Sequence, residues 1–162
     1  MPPVAECEVY ADLLARLLEE CASTLEVIPA DQLDQAPVHG ATPAAALAAH
    51  VLGATRAYVL GFGCGQEVER DRSAEFAATS TAGADLAAEL RSLIEEIASA
   101  LGSLDGARLD EVITPPQHLF GEAPAHELSR RWAIVSAIRH CGIHLGHLQL
   151  TRDVLGEQER EG

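Results

Sequence analysis

Apolar residues return every three or four positions through four long stretches of this chain, and nowhere do they alternate at the period of a strand for long. That repeat limits the chain to helices packed on helices. The first stretch, from Val4 to Val27, reads "VAECEVYADLLARLLEECASTLEV". Val9, Leu13 and Leu17, with Leu14, Leu18, Cys21 and Leu25, form one apolar stripe, and Pro29 stops the helix. Thr42-Pro43 reads as an N-cap followed by proline at the first helical position. It opens a second helix, "PAAALAAHVLGATRAYVLG", that runs to about Gly61. The third, "ADLAAELRSLIEEIASAL", covers about 83–101 with Leu86, Leu90, Leu93, Ile94, Ile97 and Leu101 on one side, and Gly102 closes it. The fourth starts near Ala125 or His126 and reaches about Leu155, with Gly156 just past its end and a frayed, charged tail beyond.

The expected architecture is therefore all-α, a four-helix bundle in one domain over 1–162. The link between the first two helices is short enough for antiparallel neighbours. The polar segment 66–83 is long enough for an overhand crossover to a parallel neighbour, with room for one helical turn. Residues 103–124, with Pro115-Pro116, Gly121 and Pro124, are irregular, with a short strand at "EVIT" the only candidate for β structure.

Charge narrows the partners. With 25 acidic residues against 11 basic, the net charge is −14, so a phosphate backbone or an anionic membrane surface is repelled. No run of about 18 apolar residues stands out as a bilayer span, and "MPPVAECEVY" lacks the basic and apolar regions of a signal peptide. Cys7, Cys21, Cys64 and Cys141 make neither a C-x-x-C pair nor a disulfide framework, which fits a reduced, cytoplasmic protein.

Chemistry concentrates in the fourth helix, "IRHCGIHLGHLQL". His140, His144 and His147 stand at i, i+4 and i+7, so all three rings leave one face. His140 and His144 are close enough to share an ion. His147, about 10.5 Å along the axis from His140, takes an adjacent role as a residue that orients a ligand or as a surface histidine. A third ligand must come from another helix. His50 is the odd residue of the second helix, an imidazole among Ala46, Leu47, Val51 and Ala54. A buried imidazole needs partners for its nitrogens, from a carbonyl, an interface or a metal. His50, His140 and His144 together make a three-histidine set suited to Zn, Ni, Fe or Cu. Three protein ligands leave positions open for water or substrate. No H-E-x-x-H motif supplies a helix-borne glutamate.

A lone histidine after "T-P" in the second helix ("ATPAAALAAH"), then H-x-x-x-H with a following glycine in the fourth ("HCGIHLGHL"), resembles the DinB-like superfamily. The resemblance covers essentially the whole chain. It implies a compact bacterial bundle with an up-down-down-up path and a long crossover between helices two and three. It also implies a divalent transition metal, Zn, Ni or Fe foremost, on His50, His140 and His144. His147 stands where many relatives carry glutamine. Relatives of known activity are S-transferases and isomerases that use low-molecular-weight thiols, and homodimers are frequent. The implied function is metal-dependent activation of a thiol or water for transfer to, or hydrolysis of, a small-molecule substrate, with no nucleic-acid or membrane partner. Two other readings stand beside it: a non-catalytic metal-binding stress-response bundle, and a structural dimer whose histidines merely pack.

Around the site, Arg56 and Arg139 are the cations placed to meet an anionic ligand, with a structural or solvated role as the alternative. Cys141 lies about 100° around the helix from His140 and reads as a small core residue. Trp132, with Ile134, reads as a core anchor, with a pocket wall two turns before His140 as the alternative, and Tyr58, two turns beyond His50, reads the same way. His39, His118 and His126 read as surface residues. Glu122 or Glu127 is available as a general base, and spacing selects neither.

Overall fold

A computed structural model describes residues 5–79 and 83–161. Val4, the expected start of the first helix, residues 80–82 of the connection and Gly162 of the tail lie outside the described residues. The chain is all-α in character, with four long helical segments: α1 (Ala5–Glu26), α2 (Ala44–Thr55), α4 (Gly83–Gly102) and α6 (Arg130–Glu161). Two short helices, α3 (Arg72–Ala77) and α5 (Gln117–Phe120), lie in the connections. A two-residue antiparallel ladder pairs β1 (Val112–Ile113) with β2 (Leu128–Ser129), with Val112 opposite Ser129. β1 lies in the "EVIT" segment.

The core is built almost wholly from leucine and alanine. Leu14, Leu18 and Leu25 of α1, Leu90, Leu93, Ile97 and Leu101 of α4, and Ile134 and Leu148 of α6 are fully enclosed. The α1 stripe is narrower than its sequence pattern. Leu14, Leu18, Cys21 and Leu25 face inward, whereas Val9 and Leu13 are exposed, because a helix in contact with two neighbours buries one arc of its surface. α1 packs chiefly on α4 and α6 and touches α2 only slightly, so the first two helices are not close neighbours despite their short link. Polar ties fix the ends. Arg131 pairs with Glu6 and Asp110 at the start of α6, and Gln158 donates to the Pro37 carbonyl near its end.

Three further expectations change. The fourth helix starts at Arg130, after the β2 pairing uses the backbone of 128–129, and continues through Gly156 to Glu161. Gly156 is thus a helical residue and no stop. The second helix continues past Thr55 as π-helical turns, Arg56–Gly63, whose widened ladder ends with the Cys64 amide donating to the Val59 carbonyl. Gly63 belongs there for a steric reason: a Cβ would fall 2.6 Å from Ile134 Cγ1 on α6. Finally, Ala44–Gly63 is long and apolar enough to cross a membrane by length and composition. It is mostly buried inside the protein, which is the setting of a core helix.

Candidate metal centre

His50 projects from the middle of α2 and His140 and His144 from α6, and the fold brings them together. One ligand atom from each lies within 4.8 Å of the others. His50 Nε2 stands 3.0 Å from His140 Nε2. The His140 and His144 ring centroids are 4.4 Å apart, as the i, i+4 spacing demands. His50 is buried, and the other two are half-buried.

A carboxylate that spacing did not select orients the cluster. Glu75 Oε2 lies 2.9 Å from His50 Nδ1, with both side chains buried. Glu75 reaches the site because Asp71 caps α3 by accepting from the Ala74 amide, which turns the following residues toward α2. Phe76, beside it, stacks on the His50 ring at 4.7 Å. Arg70 then holds Glu75 in a two-pronged grip, Nε to Oε1 at 2.7 Å and Nη2 to Oε2 at 3.0 Å, while its Nη1 donates to the Leu119 carbonyl. Gly53 makes room for this. A Cβ on Gly53 would sit 2.1 Å from Glu75 Oε1.

The protonation states follow from the surroundings. Burial pushes the Glu75 carboxyl up, but hydrogen bonds from His50 and Arg70 and the Arg70 charge outweigh it, and its pKa is lowered. Glu75 is thus an anion placed to accept from His50 Nδ1, which holds the ring with Nε2 facing His140. Burial, then the neighbouring His144 and His50, pulls His140 down to about 3. Burial, then His50 and His147, pulls His144 down to about 4. Both rings are neutral at neutral pH. His140 Nδ1 is enclosed without a hydrogen-bond partner among the described residues. Three imidazoles, one oriented by a carboxylate, form a donor set that fits a divalent transition metal.

The remaining candidates scatter. His147 is exposed, with Nδ1 3.4 Å from His144 Nδ1, outside the group of three. Cys141 is a buried core thiol bonded to Thr55 Oγ1, and burial lifts its pKa to about 11. Arg56 pairs with Glu96 at the surface. His39, His118 and His126 are exposed, though His126 packs edge-on against Phe120 and Trp132. Glu127 is exposed, and Glu122 pairs with Arg72. Beside His50 and His140 opens a cavity of about 620 Å³. Tyr58 and Trp132 line it. Trp132 is 47% exposed there, so it is a cavity wall and not a core anchor.

The family model for the DinB superfamily matches residues 13–148, a span that includes all three histidines. The chain belongs to the DinB superfamily. Among solved structures, a conserved protein from Enterococcus faecalis is similar over 91% of this chain and 95% of that one, with a TM-score of 0.64 at 16% identity. That likeness establishes a common fold. No curated protein matches the sequence.

Proposed function

We propose that this DinB-superfamily chain is a metal-dependent enzyme acting on a small molecule. His50, His140 and His144 would hold a divalent transition metal, with Zn, Ni or Fe suited to the donors. Bound there, the metal supplies Lewis acidity that makes a thiol or a water nucleophilic near neutral pH. The chain's own residues do the rest. Glu75 accepts a hydrogen bond from His50 Nδ1 and keeps Nε2 directed at His140. Arg70 keeps Glu75 anionic and immobile. Phe76 covers the outer face of His50, and the adjoining cavity gives a substrate access. The observation that carries the reading is the convergence of three imidazoles from two helices, two of which, His50 and His140, line a cavity.

The same reading takes the bundle to follow an up-down-down-up path, which the Arg131–Glu6 pair between the starts of α1 and α6 supports. It also takes the protein to be a homodimer, for which exposed Ile143 and Leu150 of α6 offer apolar surface, with sedimentation over a concentration series as the test. For the enzyme itself, metal-loaded protein is screened with low-molecular-weight thiols plus electrophiles, and separately with hydrolysable esters and amides. Turnover in the parent that vanishes in H50A and H140A is expected. A loaded protein that turns over neither class leaves a binding bundle in place of an enzyme.

A further inference from the structure

The cavity carries a charge opposite to that of the molecule. All eleven basic residues are arginines, and nine of them pair with carboxylates. Among the described residues Arg139 has no ion-pair partner, and it lines the cavity beside His140. Arg70 and Arg72 line the same cavity, against one lining carboxylate, Glu122. Glu122 is engaged by Arg72 in an exposed pair at 2.7 Å, and Arg70 is engaged by Glu75. A chain with 25 acids and 11 bases has thus gathered three guanidiniums at one hollow and left one of them free.

The opposite end of the hollow is apolar. Trp132, Val135, Ser136 and Arg139 fall at i, i+3, i+4 and i+7 of α6, one stripe along its cavity side. Trp132 and Val135 are exposed at 47% and 46%, and both line the hollow, so their apolar surface is open to a ligand there. Phe120 and Tyr58 extend the shelf, with ring centroids 6.0 Å apart. From Trp132 to Arg139 is about 10.5 Å along the helix axis at 1.5 Å per residue.

We infer that the cavity binds a small organic acid, with its carboxylate on Arg139 next to the histidine cluster and its aromatic or branched apolar body along the Trp132 shelf. This rests on the metal-site reading for its catalytic meaning, and names the substrate class that reading leaves open. Arginine suits the role because its planar fork matches a carboxylate. The volume, about 620 Å³, falls in the range of small-molecule sites.

Trp132 is the only tryptophan, so its fluorescence reports on this cavity alone. The parent and R139Q are titrated with 3-phenylpropionate and with its uncharged match 3-phenylpropanamide, before and after chelation, with metal content measured on each sample. In the parent the acid should change Trp132 emission and bind roughly tenfold or more tighter than the amide, the scale of a charge-assisted hydrogen bond. In R139Q, whose exposed side chain has no fold-holding partner among the described residues, that preference should disappear while metal content stays the same. Equal binding of acid and amide, no response to either, or an acid preference that survives in R139Q overturns the inference. The last result, if abolished by chelation, puts the carboxylate on the metal. Arg139-dependent acid binding in a parent that holds no metal overturns the metal reading and leaves the carboxylate site standing.

Discussion

Replacing Gly53 with alanine sets helix propensity against the site. Gly53 lies inside α2, where alanine is favoured over glycine by about 1 kcal/mol. On local grounds the variant should be more stable. The structure predicts the opposite. The new Cβ would fall 2.1 Å from Glu75 Oε1 and 2.8 Å from its Cδ, so the carboxylate must leave. A free glutamate would swing aside at little cost. This one is held by Arg70 at 2.7 and 3.0 Å and by His50 at 2.9 Å. The Arg70 side chain is 3% exposed, so displacement strands a guanidinium out of water. Separating such a pair costs about 3–5 kcal/mol, and subtracting the propensity gain leaves a net loss of about 2–4 kcal/mol. Urea denaturation of the chelated protein measures it as a lower midpoint at unchanged slope. Gly156→Ala in α6, where nothing lies within 4 Å of the added Cβ, is the control and should gain up to about 1 kcal/mol. A Gly53→Ala protein as stable as the parent would refute the clamped carboxylate.

The same clamp predicts that Glu75→Gln folds but holds its metal about 10–100-fold more weakly in chelator competition, because His50 loses the anion that orients its ring. Unchanged affinity would show Glu75 to be a packing residue. A pH series tests the depressed histidines in metal-free protein. His140 and His144 have folded pKa values of about 3 and 4, below the ordinary value near 6.5, so the unfolded chain binds protons first. Their contribution is fully present above about pH 6.5 and is lost as pH falls through the folded values. Stability should already drop between pH 6.5 and 5, above the carboxylate range, and a flat profile there contradicts the burial of these rings. Burial lifts the thiols of Cys21, Cys64 and Cys141 to about 12, 11 and 11. A thiol reagent at neutral pH should therefore react slowly with the native protein and reach four equivalents only on unfolding.

The histidine cluster was legible because its signals are local. An i, i+4 pair announces itself on a helix, and His50 is conspicuous in a run of alanine, leucine and valine. Glu75 and Arg70 were not legible. They lie in the polar 66–83 connection, where no period marks a face, and their importance comes from a contact across 25 residues to His50. Two faint marks were present: Asp71 three residues before Ala74, as a cap, and a glycine in the interior of an alanine-rich helix. Trp132 stayed open between core and pocket for a different reason. α6 serves the core with one arc and the cavity with another, and an apolar residue fits either. Gly63, at the end of the π-helical turns, packs closely against Ile134 of α6, a contact that no local pattern reveals.

Every role proposed around the cluster requires that His50, His140 and His144 hold one metal ion. Elemental analysis of untagged parent protein beside His144→Ala addresses it most directly. About one equivalent of a divalent transition metal in the parent and its loss in the variant, with helical content retained, is the expected result. A parent that takes up no metal after incubation with Zn, Ni or Mn, or a variant that keeps the full complement, would contradict it.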